Sequence, residues 1–210
     1  MNLILQRIRP TYTRIFTTHT SLHTSIATPY KHNLHTTTTA KMRISYVNPE
    51  PTNLSAEDQA VYDRVAARRA PRPLQPLDLA LLHNPRVADG WNSFLGAIRT
   101  GTSLPDDLRE IAICRVAVMN GATYEWRHHA PLAHQGGVSP QGVNRLMVPE
   151  MTEGMYNPSG NGKGLNEKQF VVCKFTDEST KNVKVSEKTF MEAQRWFSEK
   201  EIMELTATVS

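Results

Sequence analysis

At 210 residues, with 39% hydrophobic and 21% charged side chains, the chain can bury the core of one domain and leaves little room for a second. It contains no run of about 18 apolar residues, which excludes a helical membrane span. The formal net charge of +4 is carried by the first 41 residues, which hold Arg7, Arg9, Arg14, Lys31 and Lys41 and no acid. Removing those five from 24 basic residues leaves 19 against 20 acidic ones, so the body has no electrostatic support for nucleic-acid binding.

Residues 1–41 are rich in Thr, Ser and His and begin with an Arg-bearing apolar segment. That is the composition of a mitochondrial presequence, and it implies the matrix. A translation start at Met42 would instead give a cytoplasmic protein. In either case residues 1–41 are set apart as a leader, and residues 42–210 are read as a single domain. Two cysteines, Cys114 and Cys173, are too few for a disulfide framework and fit a reducing compartment.

Along the body, Ser55 with Asp58 three residues on marks a helix start. That helix ends near Arg69, before the breaker "APRPLQP". "LDLALLHNPRVADGWNSFLGAIRTG" predicts two short helical pieces around Asn84-Pro85. Ser103, Pro105, Asp106 and Asp107 open the next helix and Asn120-Gly121 closes it. A further helix runs from about Thr123 to His134, with Pro131 expected to bend it and Gly136-Gly137 to stop it. Ser139-Pro140 starts a short helix, and residues 147–164 form a polar, Gly-rich connection. Asn166, Ser186 and Ser198 each stand at an N-cap position. No useful strand alternation and no repeats appear, so the predicted class is all-α.

Two stretches carry candidate chemistry. The helix of residues 106–119 is apolar nearly all round, which makes Glu110 and Arg115 conspicuous, because a charge in a core needs a partner. The bland alternative is a structural ion pair, or a Glu110 facing the surface. The stretch "NGATYEWRHHAPLAHQGG" holds three of the four body histidines: His128, His129 and His134, His83 being the fourth. Glu125 precedes His128 by three residues and His129 by four, which puts all three on one helix face. A carboxylate beside an imidazole orients its tautomer and suits acid–base work, although an exposed Glu–His pair has the same spacing. Metal ligation is the weaker reading: Glu125-x-x-His128 is half of a di-iron unit with no second copy, and neither HExxH nor CxxC occurs. Cys114 and Cys173 lie among apolar neighbours, where a thiol is inert.

The segment "LREIAICRVAVMNGATYEWRHHAPLAHQGGVS" resembles the core of the carboxymuconolactone decarboxylase family, which includes the alkylhydroperoxidase D proteins. "LLHNPRVADGWNSFLGAIRTGTSLPDDLRE" before it and "LNEKQFVVCKFTDESTKNVKVSEKTF" with "FSEKEIMELTATV" after it extend the resemblance from about residue 55 to the end. It implies an all-α fold built on a helical hairpin and a homo-oligomer, a trimer or hexamer. The peroxidatic branch combines a glutamate, a CxxC pair and a histidine. Here these positions are Glu110, Ala122 with Glu125, and His129, so both redox thiols are absent and peroxide reduction is expected to be lost.

What remains resembles the cysteine-free branch, in which a lactone carboxylic acid loses carbon dioxide and is protonated at carbon, without metal or organic cofactor. The resemblance implies a small carboxylate substrate, with His129 as general acid–base and Glu125 or Glu110 orienting it. Arg115 or Arg127 would pair the substrate carboxylate, and Trp126, Tyr124 and Trp91 would wall the pocket. His128 is expected outward or at a subunit contact. Relatives continue past "ELTATV" with a Tyr-Asn-containing segment, so a chain ending at Ser210 is expected to lack a pocket wall or subunit contact. Two other classes stay open: a peroxide-handling protein, and a non-catalytic oligomer with a degenerate site.

Overall fold

The computed structural model describes residues 43–151, 156–157 and 164–210. The leader, and most of the connection after Met151, lie outside the described residues. Nine helices are present among those described: α1 Ala56–Arg69, α2 Pro76–Leu81, α3 Pro85–Thr100, α4 Asp106–Asn120, α5 Thr123–Gln135, α6 Pro140–Leu146, α7 Glu167–Asn182, α8 Glu187–Gln194 and α9 Glu199–Val209. The only pairing of extended backbone among them is an isolated bridge between Tyr156 and Leu165. The protein is all-α, as the sequence implies.

Local chemistry starts these helices where expected. The Asp58 N–H donates to Ser55 Oγ at 3.1 Å, and the Gln169 N–H donates to Asn166 Oδ1 at 2.9 Å. Ser139, Ser186 and Ser198 cap α6, α8 and α9 in the same way; each cap satisfies an N–H that lacks an intrahelical acceptor. Asn84 caps α3, and Pro85 at its first turn has no N–H and so needs no acceptor. At the far end of α4 the chain turns through Gly121 at φ 64°, ψ 26°, the left-handed region that glycine enters at little cost. Pro131 sits inside α5 without ending it. The sequence does not foresee the end of α7: the exposed Val183 takes φ 54°, ψ 22°, an uncommon conformation for a β-branched residue.

The helices pack around two separate hydrophobic clusters. The larger is centred on α4, whose Ile111, Ala112 and Cys114 are fully buried against Ala133 of α5, Leu146 of α6, Val172 and Cys173 of α7 and Leu205 of α9. Its all-round apolar sequence is what a helix surrounded by four others needs. The smaller joins α1, α2 and α3 through Val61, Tyr62, Val65, Leu82 and Ala88. Beyond α3, Ser103 donates from its N–H and its hydroxyl to Glu204 of α9 at 2.9 and 2.8 Å, fastening the link between the clusters.

Arg115 is the main correction to the sequence reading. Its side chain is fully buried; Nε and Nη2 donate to Asp177 of α7 at 2.8 and 2.5 Å, and Nη1 donates to the carbonyls of Leu146 and Val148 at 2.7 and 2.6 Å. The guanidinium is thereby committed to a carboxylate and to the carbonyls that end α6. It is a structural ion pair, the bland alternative of the sequence reading, and does not reach a substrate carboxylate. Burial raises the Asp177 carboxyl above its ordinary value, with Arg115 pulling it back down.

Candidate active site

The α4–α5 hairpin brings Glu110 and His129, nineteen positions apart, to opposite sides of one contact. Both are nearly buried, at 5% and 6% exposure. The Nδ1–H of His129 donates to Glu110 Oε2 at 2.6 Å, a charge-assisted distance. That bond fixes the tautomer: Nδ1 carries the proton and Nε2 presents its lone pair. Arg99, from the last turn of α3, meets that nitrogen, its Nη2 donating to His129 Nε2 at 3.3 Å.

Beside the dyad, Arg109 donates from Nη2 to Asp106 at 2.7 Å, with Nε 3.7 Å from Glu110 Oε1. The two ends of the hairpin close tightly here. A Cβ added to Gly136 would lie 2.8 Å from the backbone nitrogen of Asp107, so only glycine permits this approach. The result is a cavity of about 270 Å³ with Arg99, Arg109, Glu110, His129, Leu132 and Gln135 in its walls. A smaller cavity of about 120 Å³ lies elsewhere, between α7 and α8, beside the Lys174–Glu192 pair.

Glu125 is half-buried one turn before His129. Burial raises its carboxyl pKa, while the charges of His129 and Arg99 pull the other way. Burial also disfavours the Arg99 cation, as does the neighbouring Arg69; Glu110 and Glu125 favour it. Cys114 is pushed up to about 12, first by burial and then by Glu110 and Glu125. Burial raises Cys173 as well. At neutral pH neither thiol is a nucleophile.

Of the expected site residues, the structure brings together Glu110, His129 and, one turn away, Glu125. The others lie apart from the cavity. Arg127 is exposed on α5, Tyr124 is 51% exposed with its ring centroid 4.3 Å from that of His128, and Trp126 packs against the large core. Trp91, on α3, buries its Nε1 without a partner and does not line the cavity. His128 is exposed, with Nδ1 2.8 Å from the Tyr124 carbonyl. Sequence reasoning missed Arg99 and Arg109. Arg109 stands next to Glu110 in "LRE", but Arg99 reads only as a cation closing a helix, and no local pattern announces its approach to a histidine thirty positions on.

Fold and site together define an all-α protein with a carboxylate–imidazole pair in the wall of an arginine-bearing cavity. Residues 85–155 match the model of the carboxymuconolactone decarboxylase family. The match covers about a third of the chain and includes Arg99, Glu110, Glu125 and His129. The region that builds the site is therefore similar to that family, the one the sequence resembles. No curated protein and no solved structure matches the chain.

Proposed function

We propose that the protein is a carboxymuconolactone decarboxylase-like enzyme, acting by general acid–base chemistry on a carboxylated lactone or related cyclic metabolite. The observation that carries the reading is the 2.6 Å contact between Glu110 and the Nδ1 of a histidine lining the cavity. In the proposed reaction the bond to the carboxyl carbon breaks and carbon dioxide leaves. The electron pair passes into the conjugated lactone carbonyl, and carbon then takes a proton that His129 Nε2 has first taken up from solvent. Glu110 holds the other ring nitrogen and stabilises the imidazolium that must form before that transfer. No redox partner is required.

The peroxide-reductase alternative lacks its chemistry, with Ala122 and Glu125 at the two thiol positions and both cysteines buried. The same family reading has the protein assembled as a trimer or hexamer, and its compartment as the mitochondrial matrix if residues 1–41 are translated. The test is His129→Gln, assayed against lactones and cyclic carboxylic acids that wild type turns over. Loss of turnover by a factor of about 10² to 10⁴ is expected, with the oligomer intact. Unchanged activity would refute the assignment. A purified wild-type oligomer that binds no carboxylated ligand would favour a non-catalytic role.

A further inference from the structure

Among the residues lining the cavity, Arg99 alone comes from α3; the rest belong to the α4–α5 hairpin and its end. Two of the cations near it each hold a carboxylate. Arg69 donates from Nε and Nη2 to Asp78 at 2.7 and 2.8 Å, and Arg109 is held by Asp106 at 2.7 Å. Arg99 has no carboxylate within 4.0 Å among the described residues. It directs an N–H at a neutral nitrogen, 3.3 Å away. A guanidinium carries five donors in a fork that matches a carboxylate, and this one uses its fork poorly. Meanwhile the Nε2 lone pair, the atom an acid–base role needs, is occupied.

We propose that Arg99 is the anion-recognition residue of this cavity and that it works as a displaceable stopper. In the free protein it covers His129 Nε2; a carboxylate ligand draws it away, and only then is Nε2 open to exchange a proton. The assignment rests on the acid–base reading of His129 and adds a selection rule to it. A neutral ester or amide of the same ring has no charge to exchange for the imidazole, so Arg99 stays in place and the base stays covered. The exchange makes and breaks hydrogen bonds only. The charged groups facing the ring are Glu110 on Nδ1, Arg99 on Nε2 and Glu125 one turn along α5, with Arg109 and Arg69 behind Glu110 and Arg99.

The test uses the full chain labelled with ¹⁵N-histidine. 2-Furoate is the anionic probe and 2-furamide its neutral counterpart, both titrated through the millimolar range at fixed neutral pH. In wild type, 2-furoate is expected to shift the His129 Nε2 resonance while 2-furamide leaves it in place. Arg99→Gln should already show the shifted, uncovered Nε2 without ligand and bind 2-furoate at least about tenfold more weakly, the loss of one charge-assisted pair. Arg99→Lys, which keeps the charge but not the fork, should fall between and guards against a merely misfolded Gln variant. Equal affinity of all three proteins, an Nε2 resonance insensitive to 2-furoate in wild type, or equal responses to both probes would overturn the proposal. A 2-furoate response that depends on Arg99, in a protein that decarboxylates nothing, would uphold the stopper and sink the decarboxylase reading.

Discussion

The two buried charged residues of α4, Glu110 and Arg115, stand five positions apart and meet opposite fates. At one end Arg115 is sealed in. Its fork is matched by Asp177 and its remaining donor by two carbonyls, and it is wholly shielded from solvent. At the other end Glu110 opens onto a cavity, shares its histidine with an arginine from another cluster, and has a second arginine close by but not hydrogen-bonded. A buried charge with every donor answered holds helices together. A buried charge whose neighbours are half-answered has bonds left to exchange, and exchange is what a site requires.

Substitutions can break or sharpen that contrast. At the sealed end, Arg115→Leu leaves Asp177 buried without its partner and should cost about 3–5 kcal/mol. Urea denaturation would read this as a lower midpoint, and Arg115→Leu with Asp177→Leu should recover most of the loss. If the single change costs no more than a surface substitution, the sealed end is not what holds α4 to α7. At the open end, Glu110→Gln keeps the shape but removes the charge that steadies an imidazolium. Turnover of any substrate found should fall about 10- to 100-fold, with stability changed far less than at the sealed end.

A smaller effect tests the helix that carries Asp177. Val183→Gly relieves a left-handed conformation at the end of α7 and should stabilise by about 1 kcal/mol, measured as a higher melting temperature with activity unaltered. Last comes Glu125. Its folded carboxyl binds a proton more tightly than the unfolded one, near 4.5. The stability it contributes is therefore present below about that pH and is lost as pH rises through the folded value. Glu125→Gln should flatten that decline. A melting temperature with the same pH profile in both proteins would show that Glu125 is better solvated than its burial implies.

The parts of this molecule that were legible in its sequence are those that short-range chemistry decides. Ser55, Asn166, Ser186 and Ser198 cap helices within three residues of themselves, and Gly121 turns the hairpin where Asn-Gly predicts it. Helical spacing pointed to His129 with Glu125, and an apolar helix made Glu110 conspicuous. That Glu110 belongs with His129 came only through the family resemblance, because four positions along one helix are visible in a sequence and a contact across a hairpin is not. The two readings of Arg115 stayed open in the sequence for the same reason: its partner lies 62 positions away. Arg99 was invisible, since its place at His129 depends on how α3 is set against the hairpin.

That last dependence bears on how such a protein would change over generations. Arg99 stands on α3, whose Ala88 packs in the cluster of α1 and α2, and Arg69 of α1 is among the charges that act on it. If Arg99 selects the ligand as proposed, substitutions among those three helices would alter which ligands are admitted while the Glu110–His129 pair, on helices of the other cluster, stays in place. Selection for a new ligand would then leave its record mainly upstream of residue 100, far along the chain from the His129 imidazole.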